Sequence, residues 1–189
     1  MQHTLWTVVI PVKGTSEAKS RLQHEAWRAD TIAIATLFAA MDWWAVAEIV
    51  VVAPEKWMDY NITGLPFTRV IDQGGGLDAA VELGIERAGR TRPVAVLLGD
   101  LPALQSDELG DALTRAALLD RSFVADREGT GTTLIASTSD HAPAFGAGSA
   151  QRHRDNGYVE LDVPVDSGLR SDVDTLEQLE ALAGRWPER

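Results

Sequence analysis

The chain has 189 residues, 45% hydrophobic and 24% charged, and 17 Lys and Arg against 28 Asp and Glu give a net charge of −11. That length predicts one buried domain over residues 1–189, and the charge argues against broad electrostatic binding to nucleic acid or to an anionic membrane. Lack of cysteine excludes disulfides and thiolate metal sites; with no apolar run near the roughly 20 residues of a membrane span and no charged-then-apolar leader, the expected setting is cytoplasmic.

Leu5–Pro11 reads as a buried strand, and the polar loop behind it carries Lys13, Gly14, Lys19 and Arg21. The chain has only three lysines, and two of them lie six residues apart in this loop. Cations and a glycine at the carboxyl end of a strand suit a polyphosphate; taken alone, the loop reads equally well as solvated surface charge. Thr31–Trp44 reads as an apolar helix with Asp30 as its N-cap. Glu48–Ala53 is a second buried strand and Phe67–Ile71 a short third one. Gly74, Gly75 and Gly76 follow, then a helical stretch from Leu77 to Ala88. Val94–Leu98 is a fourth strand running into Gly99-Asp100-Leu101-Pro102, and Ser106–Leu119 reads as an amphipathic helix. Apolar strands alternating with helices predict an α/β fold with a mostly parallel sheet covered on both faces.

The last third is mixed. Ser122–Ala125 and Thr132–Ala136 read as strands joined through residues 126–131. A loop with Pro143, Gly146 and Gly148 precedes a short helix near Ser149–Asn156. Tyr158–Val163 reads as another strand and Thr175–Ala183 as a closing helix. Such a tail predicts antiparallel strands added at the sheet edge.

In open α/β sheets ligands bind outside the carboxyl ends of the strands. The Lys13 loop, Gly74–Gly76, Asp100 and Thr132 all fall at such positions. Asp172 and Asp174 alternate across one residue, so both carboxylates can share one side of a strand end. Each aspartate alone would serve equally as a turn or helix cap; three carboxylates with a cationic loop favour a Mg²⁺ site for phosphoryl or nucleotidyl transfer. Gly74-x-Gly76-x-x-Ala79 follows the third strand rather than the first, which disfavours a nicotinamide-dependent oxidoreductase, and no P-loop motif is present. The four histidines have no metal-ligand spacing, and His153, between Arg152 and Arg154, reads as a surface or substrate-contacting residue. The six tryptophans read as packing residues.

Val9-Ile-Pro-Val-Lys13 with Ala18-Lys-Ser-Arg-Leu22, Gly99-Asp-Leu-Pro-Ala-Leu104, Gly129-Thr-Gly-Thr-Thr133, Phe145-Gly-x-Gly-Ser149 with His153-Arg154, and Gly168-Leu-Arg-Ser-Asp-Val-Asp-Thr175 resemble, in order and over almost the whole chain, the guanylyltransferases of coenzyme F-420 biosynthesis. Asp78 departs from that pattern, which usually has Asn after Gly-Leu, and the segment between Leu22 and Asp30 is short. The resemblance implies a GT-A-like, Rossmann-like nucleotidyltransferase that transfers GMP from GTP to phosphoenolpyruvate. The same reaction on 2-phospho-L-lactate or 3-phospho-D-glycerate is the alternative. It further implies Asp100, Asp172 and Asp174 as Mg²⁺ ligands and Lys13, Lys19 and Asp100 as the catalytic set. Lys13, Gly14, Lys19, Arg21, Gly74, Gly75 and Asp78 would bind the nucleotide. Thr132, Gly146 and Ser149 would bind the acceptor, with Arg152, His153 or Arg154 on its carboxylate. The partners implied are these small molecules, hand-over of a labile product to the next pathway enzyme, and a second copy of the chain in a homodimer. Rival readings are a transferase of the same fold acting on a sugar phosphate or molybdopterin, and a non-catalytic nucleotide-binding protein.

Overall fold

Thr7, Val8, Val9 and Ile10 are β-branched, which costs helix and suits a pleated surface; they form most of β1 (Trp6–Pro11), whose residues are all buried. The computed structural model describes residues 4–12, 26–55, 57, 67–173 and 178. Lys13, Gly14, Lys19, Arg21, Asp174 and the helix expected over 175–183 lie outside the described residues.

Strand β1 pairs in parallel with β2 (Val46–Ala53) and with β4 (Val94–Leu97), and β2 pairs in parallel with β3 (Thr68–Ile71). Strand β6 (Thr132–Ser137) runs antiparallel to β4 on one side and to β5 (Arg121–Ala125) on the other, while β7 (Val159–Glu160) is parallel to β5. The seven strands lie in the order β3-β2-β1-β4-β6-β5-β7. The tail strands β6, β5 and β7 thus add to the sheet beyond β4, as expected, and of the three only β6 runs antiparallel, between β4 and β5.

Four helices among the described residues cover the sheet: α1 (Ala26–Met41), α2 (Leu77–Ala88), α3 (Ser106–Ala116) and α4 (Ser149–Asp155). Alternation along the strands splits the core in two. Trp6, Val8 and Ile10 join Leu37 of α1 and Leu109 and Leu113 of α3. Val9, Val50 and Val52 join Val81 of α2 with Phe123, Ile135 and Tyr158.

Boundaries differ from expectation at several places, among them the far end of α1, which stops at Met41 rather than Trp44, and three others have a physical reason. Helix α1 already includes Ala26, so Asp30 is an interior residue, 4% exposed, and not an N-cap. Helix α3 stops at Ala116 because the Leu118 and Leu119 N–H groups turn back to carbonyls three residues earlier, on Arg115 and Ala116. The strand expected over Tyr158–Val163 shrinks to two residues; after Leu161 N donates to Phe123 O the chain leaves the sheet toward Pro164, which has no N–H to continue a ladder. Trp6 and Trp57 are buried as packing residues, whereas Trp44 is 56% exposed.

Trp43 lies so close to Gly110 of α3 that a Cβ there would overlap its indole. Gly110→Ala is expected to cost about 1–3 kcal/mol through overpacking, read as a lower urea midpoint at unchanged m-value, and Trp43→Ala in the same chain should recover part of it. An unchanged midpoint would mean that α3 does not rest on Trp43.

Candidate functional site

Strand direction decides which residues can meet. Strands β1, β4 and β5 end at one edge of the sheet, and β6, running the other way, begins there. Thr132 at the start of β6 pairs with Ala125 at the end of β5. Leu98 N, one residue beyond β4, donates to Thr133 O at 2.9 Å. A Cβ on Gly99 would sit 3.0 Å from Pro11 O, so glycine lets the turn after β4 pass close to the end of β1.

The turn after β4 and the segment before residue 174 are tied together. Val173 N donates to Asp100 O at 3.0 Å, and the buried Val173 packs with Ile32 and Ala103. Leu101 N donates to Thr36 Oγ1 of α1 at 3.1 Å. Upstream, the Glu108 carboxylate of α3 accepts from Ser167 Oγ at 2.9 Å, Gly168 N at 3.0 Å and Gln105 N at 3.0 Å. Thr133 Oγ1 donates to Leu169 O at 2.7 Å. Asp172 is thereby brought beside Asp100, although it follows a 3-10 turn at Gly168–Arg170 rather than ending a strand. Both aspartates are half-buried. Hard carboxylate oxygens held beside one another at the carboxyl edge of the sheet fit a divalent cation such as Mg²⁺ or Mn²⁺. Among the described residues no group of three or more such ligands gathers, and Asp174 lies outside them.

A second cluster surrounds Thr132. Ser149 Oγ donates to Thr132 Oγ1 at 3.1 Å, and His153 Nδ1 lies 2.9 Å from the same oxygen. Gly146, exposed and with φ 101°, belongs to the loop ahead of α4 and its carbonyl accepts from Ser149 N at 3.0 Å, so the structure brings Thr132, Gly146 and Ser149 together. That loop is held by side chains. Ala144 N donates to His153 Nε2 at 3.1 Å and Phe145 N to Asp78 Oδ1 at 2.9 Å. Arg152 donates from Nε to Ala144 O at 3.2 Å, from Nη2 to Phe145 O at 2.7 Å and from Nη1 to Ala147 O at 2.6 Å.

These contacts give the three basic residues separate structural partners. Arg152 engages loop carbonyls through Nε, Nη1 and Nη2, and Arg154 pairs with Glu160. His153 is wholly buried, ringed by Phe123, Phe145 and Tyr158, and is not a surface residue. Asp78, in the first turn of α2 behind the positive-φ Gly74, Gly75 and Gly76, links the glycine loop to the 144–147 loop.

No family model matches the chain. The phosphoenolpyruvate guanylyltransferase of Streptomyces scabiei is 41% identical, covering 95% of this chain and 90% of that one. The protein of the same name from Streptomyces coelicolor is 42% identical over 90% and 86%, and phosphoenolpyruvate guanylyltransferase 2 of Rhodococcus jostii is 36% identical over 97% and 89%. Among solved structures, the 4-diphosphocytidyl-2C-methyl-D-erythritol synthase of Anaerococcus prevotii superposes with a TM-score of 0.68 at 9% identity, covering 96% of each chain. The manganese complex of Rv0371c from Mycobacterium tuberculosis gives 0.62 at 17% identity, covering 95% and 98%. These two share the fold.

Burial pushes His153 down to about 4, and the neighbouring Arg152 pushes the same way against a smaller opposing pull from Asp78. Burial likewise brings His141 to about 4, its hydrogen bond to Val94 O opposing. Unfolded, both titrate near 6.5. Above pH 6.5 neither state binds the protons and the stability they confer is complete. As pH falls from 6.5 to about 4 the unfolded chain takes up protons that the folded protein refuses, and this stability is lost. His141→Gln should therefore show a shallower fall of urea stability across this window than the unaltered protein. Parallel profiles would mean that His141 titrates alike in both states.

Proposed function

The chain belongs to the phosphoenolpyruvate guanylyltransferases and is thus a nucleotidyltransferase; from that premise we propose that it transfers GMP from GTP to phosphoenolpyruvate, in coenzyme F-420 biosynthesis and in the cytoplasm. What supports the reading is the shared sheet edge, where the Thr132–Ser149 hydroxyl pair and the loop behind it stand at the same end of the strands as Asp100 and Asp172. Among the described residues no helix is long and apolar enough to cross a membrane.

In this reading an oxygen of the acceptor's phosphate forms a bond to the α-phosphorus of GTP. The bond from that phosphorus to the α,β-bridging oxygen breaks, and pyrophosphate leaves with the electron pair. The attacking oxygen is already ionised near neutral pH, so no protein nucleophile is needed. That accords with a chain without cysteine in which burial lowers His141 and His153 to about 4. The difficulty is to bring two polyanions together. A divalent cation held by Asp100, Asp172 and, from sequence, Asp174 would neutralise phosphate charge there. Lys13, Gly14, Lys19 and Arg21 would take the triphosphate, with Lys13 and Lys19 nearest the reacting phosphate. Gly74, Gly75 and Asp78 would lie toward the guanine, where the Asp78 oxygen not bonded to Phe145 N can accept from a base donor. Thr132, Gly146 and Ser149 would orient the acceptor. A small carboxylated phosphate suits so compact a set. The labile enolpyruvyl product suits direct hand-over to the next enzyme, and we extend the reading to a homodimer.

Three measurements of pyrophosphate release test this. Asp100→Asn and Asp172→Asn should each lower turnover by about 10²-fold or more with little change in melting temperature; near-normal activity at saturating Mg²⁺ would remove that residue from the metal site. GTP should exceed ATP in kcat/KM, and equality would sink the base assignment. Phosphoenolpyruvate should exceed 2-phospho-L-lactate and 3-phospho-D-glycerate side by side, and a reversed order would change the acceptor while leaving guanylyl transfer in place.

A further inference from the structure

Hydrogen-bond accounting around His153 fixes more than a location. Ala144 N–H can only donate, and it points at His153 Nε2 from 3.1 Å, so Nε2 carries no proton. A neutral imidazole then bears its hydrogen on Nδ1, 2.9 Å from Thr132 Oγ1. The ring is wholly buried and edged by the rings of Phe145 and Tyr158, so it cannot trade this arrangement for water. Ser149 Oγ–H is a second donor to the same Thr132 oxygen, at 3.1 Å. Two donors converge on Thr132 Oγ1, and its own proton is left for a third partner.

We propose that His153 is a positioning residue: through its Nδ1–H it turns the Thr132 hydroxyl into an obligate hydrogen-bond donor toward the anionic oxygen of the acceptor. Ser149 then acts by the same route, through Thr132, and the pair presents one proton rather than two oxygens of undecided polarity. Such a site favours an oxyanion over a hydroxyl or amide group, which could present a donor where an acceptor is required. The proposal rests on the reading of Thr132 as part of the acceptor site. His141 makes the opposite choice. Its Nε2 faces Val94 O at 3.0 Å and must donate, leaving Nδ1 to accept from Tyr158 O–H at 3.3 Å. One protein thus holds both neutral tautomers, and His141 is the internal reference for His153.

The first test uses the unaltered protein with ¹⁵N-labelled histidine and two-bond ¹H–¹⁵N correlation spectra. His153 should appear as the Nδ1–H tautomer and His141 as Nε2–H, and titration with phosphoenolpyruvate should shift the His153 Nδ1 resonance without changing its tautomer. A His153 found as Nε2–H would overturn the proposal. The second test is kinetic. His153→Gln keeps an oxygen near the Nε2 position for Ala144 N but removes the donor to Thr132. His153→Asn keeps a donor near Nδ1 and drops the other arm. The Gln variant and Thr132→Val should each raise the phosphoenolpyruvate KM about tenfold, the size of one lost hydrogen bond, with the GTP KM little changed. The double variant should be scarcely worse than either alone. The Asn variant should bind phosphoenolpyruvate better than the Gln variant even if it melts lower. Multiplying effects in the double variant, or KM values that follow melting temperature, would overturn the His153 role and leave the acceptor site intact. An unchanged KM in Thr132→Val would instead remove the acceptor reading itself, whatever tautomer the spectra show.

Discussion

One strand running against its neighbours governs the arrangement at the carboxyl edge. Because β6 is antiparallel to both β4 and β5, a strand beginning lies where strand endings gather. The hairpin from β5 to β6 is closed by the Asp126 carboxylate, which accepts from Thr130 N at 2.9 Å and Gly131 N at 2.7 Å. Arg170 then grips Asp126 O and Val163 O, binding the returning chain to the hairpin. Had β6 run parallel to β4, Thr132 would stand at the opposite end of the sheet from Asp100. Thr133, its neighbour in sequence, would lose its bond to Leu169 O.

The inner strands were legible because a strand buried on both faces is an unbroken apolar run, as Val94–Leu97 and Val50–Ala53 are. Both ends of α2 were legible for a different reason: Gly76 and Gly89, with φ 88° and 68°, mark places where an L side chain would be strained. Asp30 misled because a cap-forming side chain ahead of an apolar run is locally indistinguishable from a polar residue one turn inside a helix. The place of β6 was not legible at all. Strand order is a matter of non-local pairing, and nothing within Thr132–Ser137 states which neighbours it will take.

At the candidate site the residue types were visible and their partners were not. Arg152, His153 and Arg154 read as interchangeable candidates for one carboxylate, yet helical geometry sends consecutive side chains in three directions. One reaches loop carbonyls, one enters an aromatic cage and one meets Glu160. The Arg152 contacts also make arginine difficult to replace there. Its planar fork reaches the carbonyls of Ala144, Phe145 and Ala147 at once, a geometry a lysine ammonium on a flexible stem cannot reproduce.

The 144–147 loop has an unusual economy of backbone polarity. Its Ala144 and Phe145 amides and three of its carbonyls are satisfied by the side chains of Asp78, Arg152 and His153 rather than by a neighbouring strand. Ordering such a segment costs roughly 1–2 kcal/mol of conformational entropy per residue, and here that cost falls on folding. A molecule arriving at Gly146 meets a surface whose shape is already set. A ligand that bound there would meet no further ordering cost from this loop.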